Sequence, residues 1–547
     1  MGSNSWQPNL GSFKRGARVL VSSMMVCALV LTGCSSSRDP KQSSSHEFFG
    51  YAIDDYLVTT NAGSNEGVST NAHQLAGRLY PGVYVTGPKG QRIPNTDLVQ
   101  ARPLPGETKR LQLRISDKAQ YSDGAPVTCD SFLLTQVAAT TRPMFDSSMP
   151  LHEQVERVEC VPGTKLATVV FKHDFGPRWR QLFAAGTLMP AHAIARKLNM
   201  DLPKLNEALN SGDPARLQPI ADIWNHGFDL GVLDPILQVS AGPFKVDSVG
   251  PEGEVTLVRN ENYYGEKAVN DKLVLWPKGT DLKRLATEGN LQLAEVDAVR
   301  DSNWVDRNDP KNPYRLKTTA GILSEQLVLA TAGVFYDVEN RRAFAACVDQ
   351  AKLAEVSSQE SGVELKPTLA RTVRPEDPVI AHFHDIIDHR VAVDIPTAER
   401  LRGQIVRIGY YGTDERKAAM VRAIADSCAP AGITVVDVSV GAQALNMLSE
   451  TFTNAAGFET YTEGGADAIL QAVDPMFWFP HAPRLSDDIE AARAAEHESW
   501  ELMQTIPIAP EPRVFIVDKT VRNVVENTDL YGIGWNMDRW QEENLHN

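Results

Sequence analysis

Catalysis, metal binding and ligand capture each need particular side chains at particular spacings, and few segments of this 547-residue chain qualify. "AHFHDIIDH" (381–389) brings together His382, His384, Asp385, Asp388 and His389, the imidazole and carboxylate donors that suit nickel or zinc. Extended backbone would set His382 and His384 on one face. A helix would leave no two histidines four apart, although Asp385 and His389 would pair that way. A solvated surface tract is the simpler account, and no metal is assigned to it. "DPMFWFPHAP" (474–483) sets Phe477, Trp478 and Phe479 among prolines, where Trp478 could wall a ligand pocket or the three rings could fill core. No G-x-S-x-G, S-x-x-K or H-E-x-x-H occurs, and scattered carboxylates do not make an acid/base pair. The expectation is a binding protein rather than an enzyme, with no cofactor.

The N-terminus says where such a protein works. Lys14, Arg15 and Arg18 precede a mostly apolar run from Val19 to Leu31, with no acid before Asp39. Such a helix would rise roughly 20 Å, short of the ~30 Å hydrocarbon core. A charged start, a short apolar middle and small residues at the end describe a secretory signal. Leu31-Thr32-Gly33-Cys34 resembles the lipobox of bacterial lipoproteins. That resemblance implies cleavage after residue 33, diacylglyceryl on the Cys34 thiol, and a membrane anchor outside the cytoplasm. "SSSRDPKQSSS" (35–45) then reads as a polar tether.

A formal charge of −15 argues against nucleic acid and against adhesion to anionic lipid, so the acyl group alone would hold the protein to the membrane. The length implies more than one lobe. With Cys27 in the signal and Cys34 lipidated, Cys129, Cys160, Cys347 and Cys428 remain. An even count in an exported chain reads as two disulfides, with three pairings open.

The elements that must position any site are short strands alternating with helices. "RLQLRISD" (110–117) and "ATVVFKHD" (167–174) alternate as half-buried strands, and "VERVECVPGTKLATVVF" (155–171) reads as a hairpin. "AGPFKVDSVGPEGEVTLVRN" (241–260) repeats that logic. A helix is predicted over 338–356, with Phe344, Cys347, Val348 and Leu353 on its inner face. "QIVRIGYYG", a helix over 414–433 and "TVVDVSV" follow as a βαβ unit, so an α/β lobe is expected between about 330 and 500.

Several stretches resemble, in order, extracellular solute-binding protein family 5, the oligopeptide-, dipeptide- and nickel-binding lipoproteins of ABC importers. They are "YSDGAPVTCDSF" (121–132), in which Thr128 could cap the next helix, and "LMPAHAIAR" (188–196). "SAGPFKVDSV" with "VTLVRNENYYG" (240–265) and "FYDVENRRAFAACVDQ" (335–350) complete the set. The resemblance implies an α/β, two-lobed periplasmic-binding-protein fold, type II, cluster C. Its first lobe would span 46–329, with an extra subdomain over about 80–180. Its second lobe would span 330–505, and 506–547 would return to the first. The chain would cross near Leu327–Thr331 and return near Ile506–Pro510. Disulfides Cys129–Cys160 and Cys347–Cys428 fit this map, since each stays within a lobe and leaves the hinge free.

The same resemblance implies a monomeric receptor whose partners are a peptide or similar small organic ligand and the permease and ATPase subunits of an importer. In peptide binders of this family a second-lobe carboxylate pairs with the ligand amine. Here Glu463 and Asp467 lie nearest that place, beside Tyr461 and the Gly464-Gly465 turn. In the first lobe "TTNAGSNEGVSTNAHQL" (59–75) occupies the place of the cleft loop, with Asn61, Ser64 and Asn65 as hydrogen-bonding candidates. The alternatives are a metal or metal-chelate binder of the same fold, a lipoprotein hydrolase, or a surface interaction protein.

Overall fold

The computed structural model describes residues 47–106, 109–172, 178–388, 390–439, 445–453, 458–480, 482 and 488–543. The signal, Cys34, the tether and His389 lie outside them.

Ten strands form the main sheet. Numbered along the chain, they are β1 (Phe49–Ala52), β2 (Phe244–Val249), β3 (Val255–Arg259), β4 (Lys272–Trp276) and β5 (Leu293–Val296). β6 (Tyr314–Leu329), β7 (Ile405–Gly409), β8 (Thr434–Asp437), β9 (Ala468–Val473) and β10 (Thr505–Asp518) complete it. Their order in space is β8-β7-β9-β6-β10-β5-β1-β4-β3-β2. β1 runs parallel to β4 and β5, and β7 runs parallel to β8 and β9, whereas β6 and β10 pair antiparallel. The sheet is therefore mixed. The expected hairpins over 155–171 and 241–260 are present, the second as β2 and β3, as is the βαβ unit of β7, the helix Glu415–Cys428 and β8. A separate four-stranded sheet packs Val155–Cys160 against the helix Cys129–Thr140.

β10 contributes to two hydrophobic cores, Phe515 and Val517 to one and Ile506, Ile508, Val514 and Ile516 to the other, and β6 adds Leu327, Val328 and Leu329 to the second. Pro507, Pro510 and Pro512 lie inside β10 and have no N–H to give a ladder. The register accordingly breaks between Ala320 and Ser324 and again between Glu325 and Gln326. The two long strands thus run side by side with a weakened ladder at their middle, and Leu323 and Glu511 sit at that break.

Disulfides join Cys129 to Cys160 and Cys347 to Cys428. Two local expectations need correction. The helix predicted over 338–356 is two helices, Val338–Ala345 and Gln350–Ser361. Asp349 breaks it by accepting from the Lys352 N–H as N-cap of the second, so Cys347 lies in the break and not on a helix. Thr128 sits at the N-cap position of Cys129–Thr140, but its hydroxyl donates to Asp130 Oδ2 at 2.8 Å and caps no backbone group.

Candidate functional site

A partly open cavity of about 80 Å³ lies against the β6/β10 break. On one side the chain from Val68 to His73 contributes Ser69, Asn71 and His73, with Met149, His152 and Gln181 beside them. On the other, β9 contributes Gln471 to Val473, the turn Pro475–Trp478 contributes Phe477 and Trp478, and the helix Glu415–Cys428 contributes Lys417. Leu323 and Glu511 close it at the break, with Asp55, which follows β1. Apolar and polar walls therefore face one small space.

Several lining side chains are buried with polar atoms that find no partner among the described residues. His73 Nδ1, Gln181 Oε1 and both amide atoms of Gln471 are of this kind, and none of these residues is more than 7% exposed. Buried polar groups are nearly always hydrogen-bonded, and each orphan costs about 1–3 kcal/mol. Asp55 accepts from Asn71 and Gln74 at 3.1 and 3.0 Å, but both bonds fall on Oδ2. No described residue donates to its Oδ1. The unpartnered atoms of His73, Gln181, Gln471 and Asp55 thus lie on residues that line this one cavity, where water or a solute can satisfy them.

A clasp holds the aromatic wall. Asp474 caps the Pro475–Trp478 turn and is bound by both arms of the Arg374 guanidinium, at 3.1 and 2.7 Å. Arg92 stands 3.8 Å from Asp474 and 4.8 Å over the Phe477 ring. Arg178, fully buried, donates to the carbonyls of Pro475 at 2.7 Å, Phe479 at 3.2 Å and Thr372 at 2.6 Å. Burial pushes the Arg178 guanidinium down to about 9. For Asp474 burial acts upward, but Arg374 outweighs it and holds the carboxyl below the usual range.

Behind the cavity lies a buried charge network. Arg416 makes a bidentate pair with Glu325 at 2.6 and 2.8 Å and reaches Asp297 at 3.2 Å. Lys278 lies 3.0 Å from Asp414, 3.4 Å from Asp54 and 3.8 Å from Asp297. Arg513 pairs with Glu295 at 2.7 Å and with Glu511. Acids outnumber bases in this network, and it connects residues 330–504 to the flanking chain.

Residues 106–484 match the family model of the bacterial extracellular solute-binding proteins, family 5 Middle. The chain belongs to that family. An uncharacterized lipoprotein of Mycobacterium tuberculosis is 31% identical over 572 residues, covering 96% of this chain and 97% of its own. The oligopeptide-binding protein AppA of Bacillus subtilis, solved with a nonapeptide, aligns with a TM-score of 0.65 at 12% identity, over 90% of this chain and 98% of that one. NikZ of Campylobacter jejuni, solved with Ni(L-His), reaches 0.60 at 12% identity over 90% and 99%. The fold is thus the two-lobed one of the periplasmic binding proteins. No helix among the described residues is long and apolar enough to cross a membrane.

In this family 5 protein the residues singled out from sequence are scattered. Trp478 lines the cavity. Asn61, Ser64 and Asn65 do not. Asn61 bonds Trp224 O and Gly63 N, and Ser64 caps the helix Asn65–Ser69 through Gly67 N. Asn65 donates to Asp146. Later residues of the same loop, Ser69, Asn71 and His73, reach the cavity instead. Asp467 is 4% exposed and both its oxygens are bound by Arg407, at 2.9 and 3.0 Å, so it has no free oxygen for an amine. Glu463 and Tyr461 line a separate, open groove with Arg407. Gly464 packs so closely that a Cβ would lie 2.0 Å from Met447 O, and its N–H donates to Ser449 Oγ. Gly464 and Gly465 therefore serve close packing of their own turn.

Among the described residues of the histidine tract, His382 and His384 join no group that could hold an ion. Asp385 is bound by Arg493 at 2.7 Å, and His384 lies 3.4 Å from Asp388. Among the described residues, the one grouping of His, Cys, Asp and Glu close enough to hold an ion is Cys129, Asp130 and Cys160, whose thiols are joined to each other. Asp55, Gln181, Gln471 and Glu511 were missed, and no local motif marks them.

Burial pushes His73 down to about 4, aided by Arg92, and His152 down to about 3. Each stays neutral in the fold while the unfolded chain takes up a proton below about 6.5. Their stabilisation is therefore complete above pH 6.5 and is lost as pH falls toward their folded values. His152→Gln should flatten the pH dependence of unfolding: between pH 6.5 and 4 wild type should lose on the order of 3 kcal/mol relative to the variant. Urea unfolding at several pH values checks this, and parallel curves for the two proteins would refute it.

Proposed function

We propose that this chain is the lipid-anchored, extracytoplasmic receptor of an ABC importer. Residues 1–33 are removed, Cys34 carries the lipid, and residues 34–45 form the tether. Residues 46–329 with 506–547 make one lobe and 330–505 the other. A solute, peptide or similar small organic molecule, enters between them, the lobes close about β6 and β10, and the closed form is presented to a permease. Partner subunits hydrolyse the ATP.

The observation that carries this reading is the cavity at the β6/β10 break, walled by both proposed lobes and ringed by polar atoms without protein partners. A lipoprotein relative and solved neighbours that hold a nonapeptide and Ni(L-His) support it. The test is mass spectrometry of the full-length product purified from membranes in mild detergent. Its first residue should be a lipidated Cys34, Cys34→Ser should release it from the membrane, and a small solute should come off on denaturation and raise the melting point when returned. A product that keeps residues 1–33, or one whose melting point no solute moves, would defeat the proposal.

A further inference from the structure

The importer-receptor reading leaves open what chemistry the cavity selects, and four observations bear on it. The first is size. A cavity of about 80 Å³ has room for several waters or for a solute of amino-acid size.

The second is the balance of polar groups. Asp55 Oδ1, Asn71 Oδ1 and Gln181 Oε1 are acceptors without a described donor, and the Gln471 amide can turn its oxygen toward the same space. On the donor side stand Gln471 Nε2, one tautomer of His73 Nδ1 and the lining Lys417, so the matching solute offers N–H groups to Asp55 and its neighbours and an acceptor to the rest. The third is charge. Asp55 and Glu511 meet at the cavity's inner end, against a network in which acids exceed bases. The fourth is the opposite wall. Met149, Phe477 and Trp478 offer an apolar, aromatic face that suits a hydrocarbon body or the methylenes beside an ammonium.

We infer that the cavity binds a small amine with an apolar body, its ammonium on the free oxygen of Asp55 and its body against Phe477 and Trp478. Of the two carboxylates expected to meet the amine, Asp467 is held by Arg407 and Glu463 lines the separate groove; Asp55 takes the part from the other side of the cleft and from the opposite end of the chain. Burial first, and Glu511 second, push the Asp55 carboxyl up to about 6, the condition in which an incoming cation is most welcome. The charged and polar groups around it are Asp54 beside it, Glu511 and Arg513 from β10, Lys278 after β4, the amides of Asn71 and Gln74, and His73 and Lys417 lining the same cavity.

This inference rests on the receptor reading and fails separately from it. The test is calorimetric titration of the full chain with leucinamide and with 4-methylpentanamide, which has the same body and no amine. Pentaalanine tests length. Leucinamide should bind at least tenfold more tightly than either. Asp55→Asn should cost leucinamide at least tenfold and leave 4-methylpentanamide unmoved. Should that variant not fold, wild type still decides the matter. A cation settling on Asp55 must expel its proton, so titrations near pH 6 in two buffers of different ionisation enthalpy should report proton release on binding leucinamide. Equal binding of the two amides, tighter binding of pentaalanine, or proton uptake would overturn the inference and leave the receptor reading standing. Silence toward these probes, with a co-purified solute that lacks an amine, would do the same. Silence toward every solute would count against both.

Discussion

Arg416→Met should lower the free energy of unfolding by about 3–5 kcal/mol, the range for removing one partner of a buried ion pair. Arg416 is 1% exposed and Glu325 fully buried. Its guanidinium satisfies both oxygens of Glu325, one of Asp297 and the hydroxyl of Ser357. Methionine keeps most of the volume and none of the donors, so the loss measures electrostatics rather than a cavity. Glu325 would stay buried with no cation beside it, and Asp297 would keep only the more distant Lys278. Burial alone works against the Arg416 charge, yet Glu325 and Asp297 hold its ionised form far above the ordinary range.

Glu325→Gln with Arg416→Met should cost clearly less than the two single changes added together, because the second removes a charge the first has orphaned. Denaturant midpoints with unchanged slopes would measure both effects. A single-variant loss under about 1 kcal/mol would mean that water reaches the pair and screens it.

The network also shows why so much of the fold was legible in sequence and so little of the site. Hairpins and the βαβ unit are local: alternation over a few residues, or a Pro-Gly turn, states them. The break at Asp349 was equally local, since an acid three residues before Lys352 is an N-cap signal, but the apolar spacing across it outweighed the cap. The site is different. Asp55 and Glu511 share one cavity end from opposite ends of the chain, and Gln471 points there only because β9 pairs with β6. Composition located the loop over 59–75, but the helix Asn65–Ser69 turns its early polar residues inward as caps and leaves the later ones to line the cavity. Asp467 had the right chemistry at the right place along the chain. An arginine 60 residues earlier binds it, and spacing does not record that.

Arg178→Ala should weaken solute binding by roughly thirtyfold to a thousandfold while changing the stability of the separate cores much less. Arg178 lies in the chain before β6, whereas the three carbonyls it bonds, those of Thr372, Pro475 and Phe479, lie between β6 and β10. If closure joins these parts as proposed, its guanidinium is a clasp that forms only in the closed state. Hydrogen bonds from a charged donor contribute about 1.5–3 kcal/mol each, less whatever water returns to the separated groups on opening, so a net of about 2–4 kcal/mol on the closure equilibrium follows. A receptor whose closed form is rarer by that factor shows a proportionally weaker apparent affinity. The loss has a second source, because Pro475 and Phe479 bracket the two aromatic residues of the cavity wall, and removing the clasp loosens Phe477 and Trp478. Arg178→Lys keeps the charge but reaches fewer carbonyls, and should recover only part of the affinity. Stopped-flow measurements should place most of the change in the off-rate, since the clasp forms after the solute has entered. An unchanged off-rate in Arg178→Ala would show that the cleft holds its solute without this closure.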